Sequence, residues 1–155
     1  APFEAEIKSL WGWSGNNWKL YMPNLEEEAL ESYLNYKKFE KLEKVSNPEA
    51  IWVNSNSQFE LEMAASKGGY VTLNMGWNLV GIQSYGGFNV VERLNGCNIK
   101  SVWKWNAQLG KWYVYIPNTL MGKEYAKSKG LGWLERLYWQ DGFWVHSLGS
   151  CNILN

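Results

Sequence analysis

Catalysis needs particular side chains at particular spacings, and this 155-residue sequence offers few of either. Its nearest approach to a hydrolytic pair is Glu49 and Asp141, which precede the matching segments Ala50-Ile51-Trp52-Val53 and Gly142-Phe143-Trp144-Val145. Glycoside hydrolysis requires two acids flanking one bond at a defined separation. Nothing in the spacing places these two, or any other two, in that way, and their matched positions read as a repeated turn feature. Glu26, Glu27, Glu28 and Glu31 fall in the first turn and on one face of an expected helix, where acidic side chains offset the helix dipole. His146 is the only histidine, and with no Ser or Cys elbow near it the residue reads as structural. Cys97, Cys151 and His146 together fall short of a zinc ligand set, and no phosphate-binding glycine loop, EF-hand or HExxH occurs. The sequence therefore points to no catalytic residue, no metal and no cofactor. For the two cysteines, a Cys97–Cys151 disulfide and a pair of buried free thiols stand as equal alternatives.

What the chain has in excess is aromatic surface, with 11 Trp and 9 Tyr, which serves cores and ligand platforms alike. An internal duplication separates the two uses. Ile99 to Asn118, IKSVWKWNAQLGKWYVYIPN, echoes Ile7 to Asn24, IKSLWGWSGNNWKLYMPN, at an offset of about 92 residues. Side chains present in both copies are explained by a shared fold. On that ground Trp11, Trp13, Trp18 and Trp52, their counterparts Trp103, Trp105, Trp112 and Trp144, and the central Trp77 are assigned to the structural core. Trp133, Tyr138, Trp139 and Tyr113 stand opposite Lys41, Ser46, Asn47 and Lys19, so the fold does not need them twice. Those four are the candidate ligand-binding residues.

Positioning these side chains falls to a small set of elements. Alternation from Ile7 to Trp13 and from Trp18 to Met22, around Ser14-Gly15-Asn16-Asn17, predicts a β-hairpin. Pro23 ends it, and Asn24 with Glu27 forms a capping-box pattern that predicts a helix from about Leu25 to Lys37, with Leu30, Tyr33 and Leu34 turned inward. Phe39 to Val45 suits a helix tail or, by comparison with the second copy, an extended segment. Ile51-Trp52-Val53 opens a strand, and Phe59 and Leu61 suggest a further hairpin arm. In the second copy a hairpin, a helix from Thr119 to Lys129 stopped by Gly130, and the strand Gly142 to Val145 follow in the same order. The segment YVTLNMGWNLVGI, Tyr70 to Ile82, has no second version. A single strand shared by two units predicts Trp77, Leu79 and Ile82 at the centre, touching both.

The pattern resembles a repeat module of bacterial exported and cell-surface proteins. In that module a GWNLVG strand, here Gly76 to Gly81, precedes a VWKWN…W.VY.P hairpin, here Val102 to Asn106 and Trp112 to Pro117, followed by a short helix and a GFWV strand, here Gly142 to Val145. The first copy departs from it, with Ala50-Ile51 in place of Gly-Phe and no GWNLVG strand before it. These are scaffold residues, so the resemblance implies an extracellular or cell-surface setting and no particular activity.

Fifteen basic and fifteen acidic residues balance, which removes the positive field that nucleic acid and anionic membrane surfaces attract. No apolar run approaches the ~18 residues needed to span a bilayer, and APFEAE has no apolar signal core. The expected architecture is α+β, mainly antiparallel β: residues 1–155 as one compact domain of two β-hairpin–helix–strand repeats (7–62 and 99–155) on a shared sheet or sandwich, joined by 63–98. The expected function is a non-catalytic extracellular ligand-binding module using exposed aromatics, with a polysaccharide or surface glycan as first partner. A structural or adhesive spacer meeting neighbouring domains of a larger surface protein is the alternative, and a glycan-active enzyme the third reading.

Overall fold

The computed structural model describes residues 6–46, 48–57, 69–83 and 86–154; the suggested arm at Phe59 and Leu61 lies outside them. The architecture is mainly β with antiparallel-rich sheets. Strand β1 (Ile7–Trp13) turns through Ser14–Asn17 into β2 (Trp18–Tyr21), with the Ser14 amide donating to the Asn17 carbonyl at 3.0 Å. Helix α1 (Glu27–Lys37) then sets Leu30 and Leu34, one turn apart, over the buried Leu20. The chain continues into β3 (Glu40–Lys41), which runs parallel to β2, and β4 (Trp52–Ser55), antiparallel to β1. The sheet order is β3-β2-β1-β4.

Two local expectations change. The helix begins at Glu27 without a side-chain cap, because the Asn24 amide instead donates to the Ile7 carbonyl at 3.0 Å and ties the helix approach to β1. Tyr33 is 38% exposed, since Leu30 and Leu34 already fill the inward stripe.

The rest of the chain forms β5 (Tyr70–Leu73), β6 (Gly76–Gly81), β7 (Phe88–Asn89), α2 (Val90–Arg93), β8 (Ile99–Asn106), β9 (Lys111–Tyr115), α3 (Thr119–Ser128), β10 (Gly132–Trp133), β11 (Arg136–Leu137), β12 (Gly142–Ser147) and β13 (Cys151–Leu154). A second sheet runs β10-β9-β8-β12-β6, and β11-β7 and β13-β5 form two-stranded ribbons. Its pairings parallel those of the first sheet. Trp13 opposes Trp18 as Trp105 opposes Trp112, and Trp11 opposes Trp52 as Trp103 opposes Trp144. Both sheets shift register at corresponding places, between Ile7 and Ser9 and opposite the His146/Ser147 step. The indole N–H of Trp11 donates to Ser9 Oγ at 2.9 Å, and that of Trp103 to Ser101 Oγ at the same distance. Helix α3 is capped by the Asn118 side chain and followed by Gly130 at φ +69°.

The larger core lies on one face of the second sheet. Val80, Val102, Tyr115, Phe143 and Val145 pack there against Val71, Leu73, Phe88, Val90 and Ile153 from the ribbons and α2. A Cys97–Cys151 disulfide, with Cα atoms 5.8 Å apart, ties the approach of β8 to β13, so the free-thiol alternative falls.

The assignment of nine tryptophans to a buried core is corrected. Trp11, Trp13, Trp18, Trp52, Trp103, Trp105, Trp112 and Trp144 are half-buried, and Trp77 is 40% exposed. Aliphatic side chains and Phe fill the fully buried positions instead. Trp11 packs beside the Leu20–Leu30–Leu34 cluster, while other indoles meet between the sheets. Trp52 reaches Trp105 and Trp112 with ring centroids 6.0 and 5.5 Å apart, and Trp144 reaches Trp13 and Trp18 at 5.8 and 5.5 Å. Each sheet thus lends one tryptophan to a pair on the other.

Strand β6 is likewise not central. It forms the edge of the second sheet, with Ile82 just beyond it buried, Leu79 half-buried and Trp77 outermost. It does touch both sheets. Val80 bridges to Glu49, the Gly81 amide donates to the Pro48 carbonyl at 2.9 Å, and the Trp13 indole N–H donates to the Trp77 carbonyl at 2.9 Å.

Candidate functional site

Three of the four candidate ligand residues converge. Register in the β8–β9 hairpin sets Lys104 opposite Tyr113, and the parallel β9–β10 pair sets Tyr113 beside Gly132 and Val114 beside Trp133. The chain then passes through Glu135 and Arg136 to Tyr138. The result is a cavity of about 300 Å³ lined by Tyr113, Trp133 and Tyr138 together with Lys104, Asn106, Leu134, Glu135 and Arg136. Two glycines make this possible. A Cβ on Gly132 would come within 2.4 Å of the Tyr113 ring, and one on Gly122 of α3 within 2.8 Å of the Trp133 ring.

Polar anchors hold the rim. Lys104 Nζ lies 2.6 Å from Asp141 Oδ2, with both side chains largely shielded, and the same carboxylate oxygen accepts the Tyr138 amide at 2.7 Å. Lys104 Nζ also stands 5.8 Å from the Tyr138 ring centroid, within cation–π range. On the inner side the Trp133 ring packs at 5.5 Å on Tyr115, whose phenol is pushed up from its ordinary value by burial. Trp139, the fourth candidate, is 37% exposed and does not line this cavity. Asp141 does act in a turn: it accepts the amide three residues before it, as Glu49 accepts that of Ser46 at 2.9 Å. The hairpin register carried a signal for Lys104, since a strand residue opposite a candidate aromatic shares its face. Nothing local pointed to Glu135 or Arg136.

A second concavity, about 420 Å³, opens between the sheets and is lined by Trp13, Trp18, Trp77, Trp103, Trp112 and Trp144. His146 stacks on Trp77 nearby, with centroids 4.7 Å apart and planes at 20°. Indole walls supply apolar contact and π faces but almost no hydrogen-bonding groups, so this cleft lacks the means to orient a polar ligand. All six of these tryptophans were assigned to the core from the sequence, which hid the cleft.

No family model, curated protein or solved structure matches the chain. Among the described residues no group of three or more His, Cys, Asp or Glu side chains is placed to hold a metal ion, and no helix is long and apolar enough to cross a membrane. The Tyr113–Trp133–Tyr138 cavity brings flat apolar faces and hydrogen-bonding groups together. That combination suits a ligand with both kinds of surface.

Proposed function

We propose that this protein is a non-catalytic ligand-binding module of an exported or cell-surface protein, and that its ligand is a carbohydrate taken up at Tyr113, Trp133 and Tyr138. The observation that carries the reading is that these residues, singled out because the first half of the chain lacks them, line one cavity with Lys104, Asn106, Glu135 and Arg136. A pyranose presents C–H faces that stack on aromatic rings and equatorial hydroxyls that bond to amide, carboxylate and cationic groups. The cavity supplies both. The disulfide supports an oxidising compartment, as does the resemblance of the GWNLVG, VWKWN and GFWV segments to modules of bacterial surface proteins.

The reading includes duplication of one hairpin–helix–strand unit, with Trp133, Tyr138, Trp139 and Tyr113 as later specialisations of the second copy. Matching strand orders, bulges and Trp–Ser hydrogen bonds support it. The spacer reading draws on a different observation, the reciprocal insertion of Trp52 and Trp144, which is a means of joining like units end to end. A glycan array with the intact, oxidised protein tests the choice. Saturable binding that Tyr138→Ala weakens at least tenfold, with an unchanged melting temperature, is expected. A folded protein that retains no glycan and self-associates would instead establish the spacer, and turnover of a labelled glycan would overturn the non-catalytic reading.

A further inference from the structure

Beside β12, on the edge away from β8, lies β6, paired in register from Gly142–Gly81 to Ser147–Gly76. Its Trp77 ring stacks on His146 and meets Trp144 edge-on at 6.1 Å, and its Trp77 carbonyl accepts the indole N–H of Trp13 from the other sheet. Strand β4 stands to β1 as β12 stands to β8. Trp52 takes the place of Trp144, Val53 that of Val145, Asn54 that of His146 and Ser55 that of Ser147. Yet among the described residues β4 pairs with β1 alone.

Between β4 and the second sheet runs a cavity of about 490 Å³, lined continuously from Ile51 to Ser55 and, across from them, by Leu79, Trp105, Ala107, Trp112, Gly142 and Trp144. Consecutive strand residues point to opposite faces, so all four of β4 can line one cavity only if it reaches the backbone edge. Trp105 is the counterpart of Trp13, since each faces the first tryptophan of its hairpin's second strand. The Trp13 indole N–H is bonded to β6; among the described residues that of Trp105, at the wall of the cavity, has no hydrogen-bond partner. Among the described residues the two edges are thus the same site, once with its strand and once without.

We propose that the edge of β4 is an acceptor slot for an extended strand of the β6 type, donated by another module of the same kind. The donated segment is flanked by glycines, carries an indole in its second position and lies antiparallel to β4. Its tryptophan ring covers Asn54 and Trp52, and the carbonyl of that tryptophan accepts the Trp105 indole N–H. Strand addition of this sort takes its affinity from main-chain hydrogen bonds and its selectivity from pockets for alternate side chains, and it caps an edge that otherwise invites indiscriminate pairing. The inference rests on the equivalence of the two units.

The test is titration of the intact, isotope-labelled protein with a synthetic peptide of the Asn74–Gln83 sequence, NMGWNLVGIQ. Expected are saturable shifts confined to Trp52–Ser55 and the Trp105 indole N–H, slowed exchange of β4 amides, and no binding of a scrambled peptide. Trp105→Phe keeps the ring face but removes the donor, and weakens binding roughly five- to tenfold, the effect of one hydrogen bond. Absence of shifts at millimolar peptide, equal binding of the scrambled sequence, unchanged affinity in Trp105→Phe, or shifts at β12 from displacement of β6 would each overturn the slot. Trp13→Phe, the same change on the occupied side, lowers the melting temperature. If it does not, the equivalence of the units falls and the slot with it; if it does and the peptide still fails to bind, the slot alone falls.

Discussion

Replacing Trp144 with alanine is the most direct probe of how the two sheets hold together. The indole makes edge contacts with Trp13, Trp18 and Trp77 at 5.8, 5.5 and 6.1 Å, two of them to the first sheet. A tryptophan buries about 150–250 Å² when enclosed, so a half-buried one withholds roughly 100 Å² from water, worth about 2.5 kcal/mol at ~25 cal/mol per Å². Each aromatic contact adds about 0.5–1.5 kcal/mol. Part of the cleft relaxes or hydrates after truncation, which brings the expected loss to about 3–5 kcal/mol, the usual cost of removing a packed tryptophan. The aliphatic core behind β12, including Phe143 and Val145, is untouched, so the variant still folds. Urea unfolding of the oxidised protein measures the loss, and a double-mutant cycle with Trp13→Ala isolates the contact between sheets, expected at about 1 kcal/mol. A loss below about 1 kcal/mol, or strict additivity with Trp13→Ala, would refute the reciprocal exchange as a source of stability.

Reducing the Cys97–Cys151 bridge, which spans a sequence separation of 54, costs about 4 kcal/mol by the loop-entropy relation and lowers the melting temperature by roughly 8–16 °C; identical melts with and without reductant would refute this. Gly132→Ala drives a methyl group into the Tyr113 ring and is expected to destabilise by about 1–3 kcal/mol while weakening glycan binding. An unshifted melting temperature would show that the ring does not rest on the glycine. Burial raises the phenol of Tyr115 above its unfolded value, so its neutral form is favoured by folding: the contribution is intact below pH ~10 and is lost as pH rises through the folded value. Tyr115→Phe therefore flattens the alkaline destabilisation that sets in above pH ~10, and equal slopes in the two proteins would count against it.

Alternation around Ser14–Asn17 was enough to place Trp13 opposite Trp18, because a short turn and a period of two leave a hairpin little freedom. The spacing of Leu30 and Leu34 identified their helix and Gly130 ended the next one, whereas Phe39 to Val45, which suited a helix tail or an extended segment equally, holds the short strand Glu40–Lys41. Comparison of the two similar stretches singled out four residues, three of which line one cavity although they come from β9, β10 and the turn after β11. Local pattern could not reveal that cavity, because the pairing of β10 with β9 across α3 is a long-range event. Nor could it decide the place of the tryptophans. A period of two tells which side of a strand a residue occupies but not what covers that side, and the indoles between the sheets are covered by one another, with an open cleft left between. The capping error has the same origin: Asn24 satisfies the Ile7 carbonyl across the chain rather than the helix beside it. Strand order, the disulfide and the cavity beside β4 were likewise decided in three dimensions, since each depends on which surfaces meet.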